Sequence, residues 1–385
     1  MDSNREVNSI AEFMAWVEET LPKAPEPAQQ ALFYRGHADE SYLLEPSVYR
    51  TDAEGKSYRN SESKLYLEML RRDPAAFASD RTIFERLVRM QHHGLPTRLL
   101  DLSESPLVAL FFACESQPEK NGQVMFFHCE RGTVFHQQSL SELTLVGVEC
   151  SLTLLDLGRT MCKTFRQHIE NVRNDLVVNQ DLNKVYPDFF QQGSDPITNA
   201  INVPTESSPD FFQICIVLKE LDDSVSKFFS DCDAKLKELI STCQNPIKKI
   251  SLARAQICSR DMITRHNDLQ VTIIKSICDE MQIQYRQGWR KLDQFLRELT
   301  HFYFVFPPMN NERRRRQRGA FLLYPPTQSN TLKVEYLLSI KTVTIVSTAK
   351  EKLRNELARQ GISRAYLFPE LEEQAKDIRT LYPPS

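Results

Sequence analysis

Strand-type and helix-type periodicities are segregated along this chain, and that segregation constrains its architecture most. Up to about residue 149, short apolar runs sit among compact helical patterns, and strand-like runs return from 301 onward. Between them Leu218, Leu221, Val225, Phe228, Cys232, Leu236 and Leu239 recur by threes and fours, and Leu269, Ile273, Ile277 and Met281 form a second stripe. Such spacing is that of a helical seam. A sheet that uses both sets of strands is therefore assembled from two distant pieces of chain. The expectation is a split α+β domain with a mostly antiparallel core sheet. It comprises an N-terminal helix and connector (1–27), a first half (28–149), an α-helical insertion (150–300) and a second half (301–385). The seam reads as helix-to-helix packing or as a surface for a partner.

Local signals place the elements. Ser9 caps a short helix through Phe13, Trp16 and Val17. Ala31–Gly36 reads as a strand, Ser61–Arg72 and Arg81–His93 as helices, with Gly94 as the stop of the second. Thr97–Leu102 is strand-like, and Ser105-Pro106 opens an apolar helix through Cys114. Gly122–Cys129 reads as a strand, and 191–209 as a long loop. Strands are then expected at His301–Phe306, out of Gln317 to Tyr324, at Val334–Leu338 and at Val343–Val346. A helix at Ala349–Arg359 ends at Gly361, and a tail helix follows.

Composition removes several chemistries. Glycine numbers 11 of 385 residues, and no G-x-G-x-x-G, H-E-x-x-H or G-x-S-x-G occurs. Gly55-Lys56-Ser57 resembles the end of a phosphate loop, but its leading glycine would fall at Arg50. Kinase, ATPase, zincin and α/β-hydrolase readings fail. A net charge of −3 gives no global attraction to nucleic acid or acidic lipid. Nine cysteines without a C-x-x-C pair read as buried thiols rather than a zinc site, so no metal is expected. Met1–Glu6 lacks the apolar core of a signal peptide, and no run approaches a membrane span. The expectation is a cytoplasmic protein.

Three polar clusters remain. The first is Tyr34-Arg35-Gly36 at a strand end. A buried arginine needs a carboxylate or an anion, so Arg35 either closes the core as an ion pair or forks onto a phosphate or carboxylate. Gly36 lets a ligand or a backbone come close. The second is His92, His93, Thr97, Arg98 and Asp101, in which Asp101 pairs with Arg98 or with Arg35, as a satisfied cluster or as a site. The third is Asn311, Arg313, Arg314, Arg315, Arg316, Gln317 and Arg318, a solvated basic loop or a phosphate contact.

In this order the clusters resemble the FRG domain family, named for an aromatic-Arg-Gly motif that is Tyr34-Arg35-Gly36 here. The resemblance continues through Gln91-His92-His93-Gly94-Leu95-Pro96-Thr97-Arg98-Leu99-Leu100-Asp101 and Ser105-Pro106 to Ala113. It resumes at Asn311, Arg316-Gln317, Gly319, Phe321, Gly361 and Leu367-Phe368-Pro369. It spans about 28–135 and 300–375.

A second resemblance, to ADP-ribosyltransferase folds, rests on order. Those enzymes hold a dinucleotide with an Arg or His on the first core strand, form a nicotinamide pocket on a Ser/Thr strand, and orient the acceptor with a later Glu, Asp or Gln. Arg35, Thr97–Ser103 and Gln317 fall in that order, while position 319 is Gly where a Glu would complete the acceptor pair. The resemblance implies an ADP-ribosyltransferase-like effector or toxin that uses NAD, in a setting such as bacterial anti-phage defence. Arg35, Gln317 and Asp101 would be catalytic. Tyr34, Arg35, Gly36, His92, His93, Thr97 and Arg98 would bind the cofactor. Arg313, Arg314, Arg315 and Arg316 would recruit a nucleic-acid or protein acceptor. The insertion would take an antitoxin or regulatory partner, and no membrane is involved. The alternative from another class is a non-catalytic sensor or binding module for a nucleotide or nucleic acid.

Overall fold

The computed structural model describes residues 5–21, 30–136, 301–325 and 340–382, together with scattered positions between 167 and 275. The chain divides into two compact units. One is drawn from 1–140, 302–324 and 330–385, the other from 141–301 and 325–329.

The first unit is α+β, built on one eight-stranded sheet. Its strands are β1 (Glu6–Val7), β2 (Gln30–His37), β3 (Leu99–Ser103), β4 (Gly122–Glu130), β5 (Phe135–His136), β6 (Tyr303–Phe306), β7 (Gly319–Leu323) and β8 (Ile340–Ile345), in the order β1-β8-β4-β2-β3-β7-β6-β5. Only the outermost pairs, β1 with β8 and β5 with β6, are parallel; the rest are antiparallel. Strands from either side of residues 150–300 interleave, since β3 pairs with β7 from Leu99↔Leu323 to Ser103↔Gly319, and β4 pairs with β8.

Helices cover the sheet: α1 (Ile10–Thr20), α2 (Glu62–Arg72), α3 (Ile83–His92), α4 (Pro106–Cys114), α5 (Glu312–Gln317), α6 (Lys350–Arg359), α7 (Arg364–Leu367) and α8 (Leu371–Leu381). The Ser9 hydroxyl accepts from the Glu12 amide at the start of α1, and Gly94 takes φ +84° just beyond α3. Thr82 and Glu85 form a reciprocal capping box on α3. One face of the sheet (Tyr34, Val124, Phe126, Val343, Ile345) packs on α1, α4 and α6. The other face buries Phe33, Leu100, Leu102, Phe127, Phe304 and Leu322 with Leu44 and Val48, and the Phe33 and Phe304 rings stack 5.0 Å apart. Alternation along β2 thus divides its residues between two cores.

The α4 helix is apolar nearly all round and lies against the sheet at two glycines. A Cβ at Gly36 would sit 1.9 Å from the Ala109 carbonyl oxygen, and one at Gly122 would sit 2.4 Å from that of Ala113. The close approach at Gly36 is therefore that of a backbone.

In the second unit, Leu236, Leu252 and Ile274 are buried at helical positions, while Leu239 is 37% exposed. The Asp233 carboxylate accepts from Gln256 and Arg260, each at 3.1 Å, and pairs with Lys237 at 2.7 Å. The remaining seam and stripe positions, the 191–209 loop and the strand expected at Val334–Leu338 lie outside the described residues.

Candidate functional site

Strand β2 runs with β4 through eight register pairs but meets β3 at one, Tyr34↔Ser103. Beside that junction lies a cavity of about 410 Å³. Its walls come from Tyr34-Arg35-Gly36 of β2, Asp101–Ser103 of β3, the end of α3 (Gln91, His92) with His93, Ala109 and Phe112 of α4, and Arg313, Arg314 and Gln317 of α5. The aromatic-Arg-Gly triplet splits its work by pleat. Tyr34 is buried in the core, and burial raises its hydroxyl to about 12. Gly36 admits α4.

Arg35 is held at two points. Its Nε donates to His37 Nε2 at 2.9 Å and its Nη1 to the Asp101 carbonyl at 2.6 Å. Its Nη2 has no partner among the described residues. Burial lowers its pKa to about 10, opposed by Asp101, so it stays a cation at neutral pH. Burial, then the charges of Arg35 and Arg50, pushes His37 down to about 3. The neutral ring is what allows Nε2 to accept from an arginine.

Asp101 receives Gln91 Nε2 on Oδ2 at 2.7 Å. Gln91 Oε1 in turn accepts from the Thr97 hydroxyl, which itself accepts from the Leu99 amide at 3.3 Å. His92 Nε2 and Arg313 Nη1 stand 3.7 and 3.6 Å from the same Glu370 oxygen, Oε1. The other oxygen of Glu370 is buried without a hydrogen bond among the described residues. Burial and Arg313 lower the His92 pKa against the pull of Glu370. The His92 and His93 rings meet edge to face at 5.1 Å, and the Arg313 guanidinium lies 4.5 Å over Phe368.

The other charges in the wall are committed. Arg89 forks onto Asp80 with two bonds of 2.7 Å. Glu85 is spent on the backbone amides of Arg81 and Thr82. Arg314 donates to the Pro308 carbonyl at 3.0 Å and to Asn310 at 2.9 Å, and burial lowers its pKa. Gln317 is anchored through Nε2 on the Leu367 carbonyl at 3.1 Å, and its own carbonyl accepts from Ser103 at 2.7 Å.

Of the candidate site residues named from sequence, Tyr34, Arg35, Gly36, His92, His93, Asp101, Asn311, Arg313, Arg314 and Gln317 share this cavity, although 35 and 317 come from the two halves of the split domain. Arg98 and Thr97 do not line it. Arg98 is buried and grips Glu62 of α2, donating Nε at 2.8 Å and pairing again through Nη2. Burial lowers its pKa and Glu62 more than offsets that. Asp101 therefore pairs with neither arginine through its carboxylate. Arg315 and Arg316 also lie off the cavity, both on Glu312, with Arg316 reaching the Tyr366 carbonyl at 3.0 Å. The basic run is a helix rather than a loop. Asn311 caps it by accepting from the Arg314 amide, and Glu312 answers the arginines at i+3 and i+4.

Sequence reasoning assigned no role to Gln91, Phe112 or Glu370. Gln91 opens the long motif, seven residues before Arg98, and its position in the last turn of α3 was the available signal.

The split, mostly antiparallel sheet thus carries a polar cleft where β2 leaves β3. Residues 30–122, from β2 to the first residue of β4, match the family model of the FRG domain. No curated protein matches the chain. No solved structure matches it either.

Proposed function

We propose that the cleft binds a phosphate-bearing nucleotide, with NAD as the ligand and ADP-ribosyl transfer as the reaction. The observation that carries this reading is the pair at the opening: Arg35, pinned at Nε and Nη1 with Nη2 uncommitted, beside Asp101, pinned at Oδ2 alone. A guanidinium fork suits a phosphate oxygen, and a carboxylate suits the hydroxyls of a ribose. Phe112 supplies an apolar wall. In transfer, nicotinamide leaves with the electrons of its bond to C1′ while the acceptor nucleophile bonds there. The Asp101 carboxylate would stabilise the positive charge developing on the ribose. Gln317, anchored on Leu367, and the free face of Arg313 would orient the acceptor, and the effector or toxin role in anti-phage defence belongs to the same proposal. Calorimetry with NAD, paired with an assay for released nicotinamide, tests it. Micromolar-range binding with release supports it, and no binding at millimolar NAD removes it.

A second reading, a nucleotide sensor without catalysis, has its own support. Among the described residues lining the cleft, Asp80 and Glu85 are spent on Arg89 and on capping. Asp101 is thus left to serve the ribose and the reaction together. Tight NAD binding without nicotinamide release would favour this reading.

A further inference from the structure

The spacing of Gln91, Thr97 and Asp101 has an internal logic. A carboxylate only accepts hydrogen bonds, so the Gln91 group facing Asp101 Oδ2 has to be its NH2. That fixes the amide and turns Oε1 toward Thr97, whose hydroxyl must then donate. The Thr97 oxygen is left to accept, and the Leu99 amide of β3 supplies that proton. Every group runs in one direction, from the β3 backbone through Thr97 and Gln91 to Asp101. Thr97 is 1% exposed, so the far end of the relay is set in the core, while Asp101 stands at the cleft. The relay occupies Oδ2 and leaves Oδ1 without a partner among the described residues.

We infer that Gln91 and Thr97 are positioning residues, which lock the Asp101 carboxylate with Oδ1 presented to a hydroxyl or amide donor of the ligand. The inference rests on the nucleotide reading for the identity of that ligand, but the relay itself does not. Gln91 lies at the end of α3, Thr97 precedes β3 and Asp101 lies within it, so the relay also ties the helix to the strand across the Gly94 turn. Side chains joined this way act as a unit, and their deletions are not additive.

The experiment has two readouts. In the ligand-free protein, NMR follows the side-chain amide protons of Gln91. They should exchange slowly in the wild type and rapidly in both Asp101→Ala and Thr97→Val, with the global fold checked by thermal melting. NAD affinity is then measured by calorimetry. Gln91→Met and Thr97→Val should each weaken it about tenfold, the worth of one hydrogen bond to a charged group. Thr97→Ser, which keeps the hydroxyl, should restore it. In an Asp101→Ala background, which removes the acceptor, neither change should weaken it further. Independent, multiplying losses would overturn the inference, as would a Gln91 amide that stays protected without Asp101. If Gln91→Met fails to fold, Thr97→Val and Thr97→Ser carry the comparison. If the wild type binds no NAD, the nucleotide reading falls, and Gln91 exchange alone decides the relay: loss of protection in Asp101→Ala supports it, and retention overturns it.

Discussion

Two arginines on neighbouring strands of the same sheet meet opposite fates. Arg98, leading into β3, is 2% exposed and forks onto Glu62, so its charge is cancelled inside the protein. Arg35, on β2, is held only by a neutral imidazole and a backbone carbonyl. Both are satisfied enough to fold, but only Arg35 faces a cavity, and the one carboxylate that favours its charge, Asp101, is not hydrogen-bonded to it through that carboxylate. A buried ion pair is costly to break and contributes little that a hydrophobic pair could not. A cation fixed by neutral acceptors stabilises less and remains available to an anion. The comparison separates what closes the core from what waits for a ligand.

Breaking the closed region should produce the largest effect. Arg98→Met or Glu62→Leu alone strands a buried charge and should cost about 3–5 kcal/mol in urea unfolding. The double variant should recover most of that loss, because no charge is then left unpaired. Equal destabilisation by the double and the single variants would mean the pair is not the closed element described here. Next in size is Gly36→Ala. Its Cβ meets the Ala109 carbonyl at 1.9 Å, so α4 or β2 has to shift, at about 1–3 kcal/mol. That loss should appear in stability, with ligand affinity following only as far as the cleft is displaced.

The difference between the two arginines was not legible in sequence, because each follows an apolar run or turn and each has an acid within reach. What decided was Glu62, 36 positions from Arg98 and brought over by α2. Signals confined to a few residues were readable: the Ser9 cap, Gly94 after α3, and Ser105-Pro106 before α4. The arginine run expected as a loop shows the limit of counting charges, since an Asn cap and a Glu at i−3 and i−4 accompany its helical form. Strand order was beyond reach for a different reason. Pairing β3 with β7 joins residues more than 200 apart, and no local preference encodes that. The candidate site was legible as three clusters, while the contact that aims Asp101 depended on seeing Gln91 in space.

Arg35→Lys sharpens the comparison from the open side. An ammonium cannot reach His37 and Asp101 together and still present a planar fork. Nucleotide affinity should fall about 10- to 100-fold, as for loss of a charge-assisted hydrogen bond. Stability should change far less than in the Arg98 variants. Calorimetry and urea titration on the same sample check both. Unchanged affinity with a large loss of stability would move Arg35 into the closed class.

The two regions also differ in how they respond to pH. Arg98 keeps its charge through the mildly acidic range, but His37 does not stay indifferent to it. Its pKa is depressed from the ordinary 6.5 to about 3 by burial and by Arg35 and Arg50. Between those values the unfolded chain binds a proton that the folded one refuses, so stability is full above about 6.5 and falls as pH drops toward 3. The slope for one such group is at most about 1.4 kcal/mol per pH unit. Protonation would also turn Nε2 into a donor facing the Arg35 Nε donor, releasing the guanidinium from one of its two anchors. His37→Gln removes the titration and keeps a neutral acceptor. Urea unfolding of the two proteins from pH 7 to pH 4 should therefore give curves that converge as the pH falls, with the variant the flatter. Parallel curves would show that His37 carries no pH dependence and that the Arg35 anchor is not released by protons in this range.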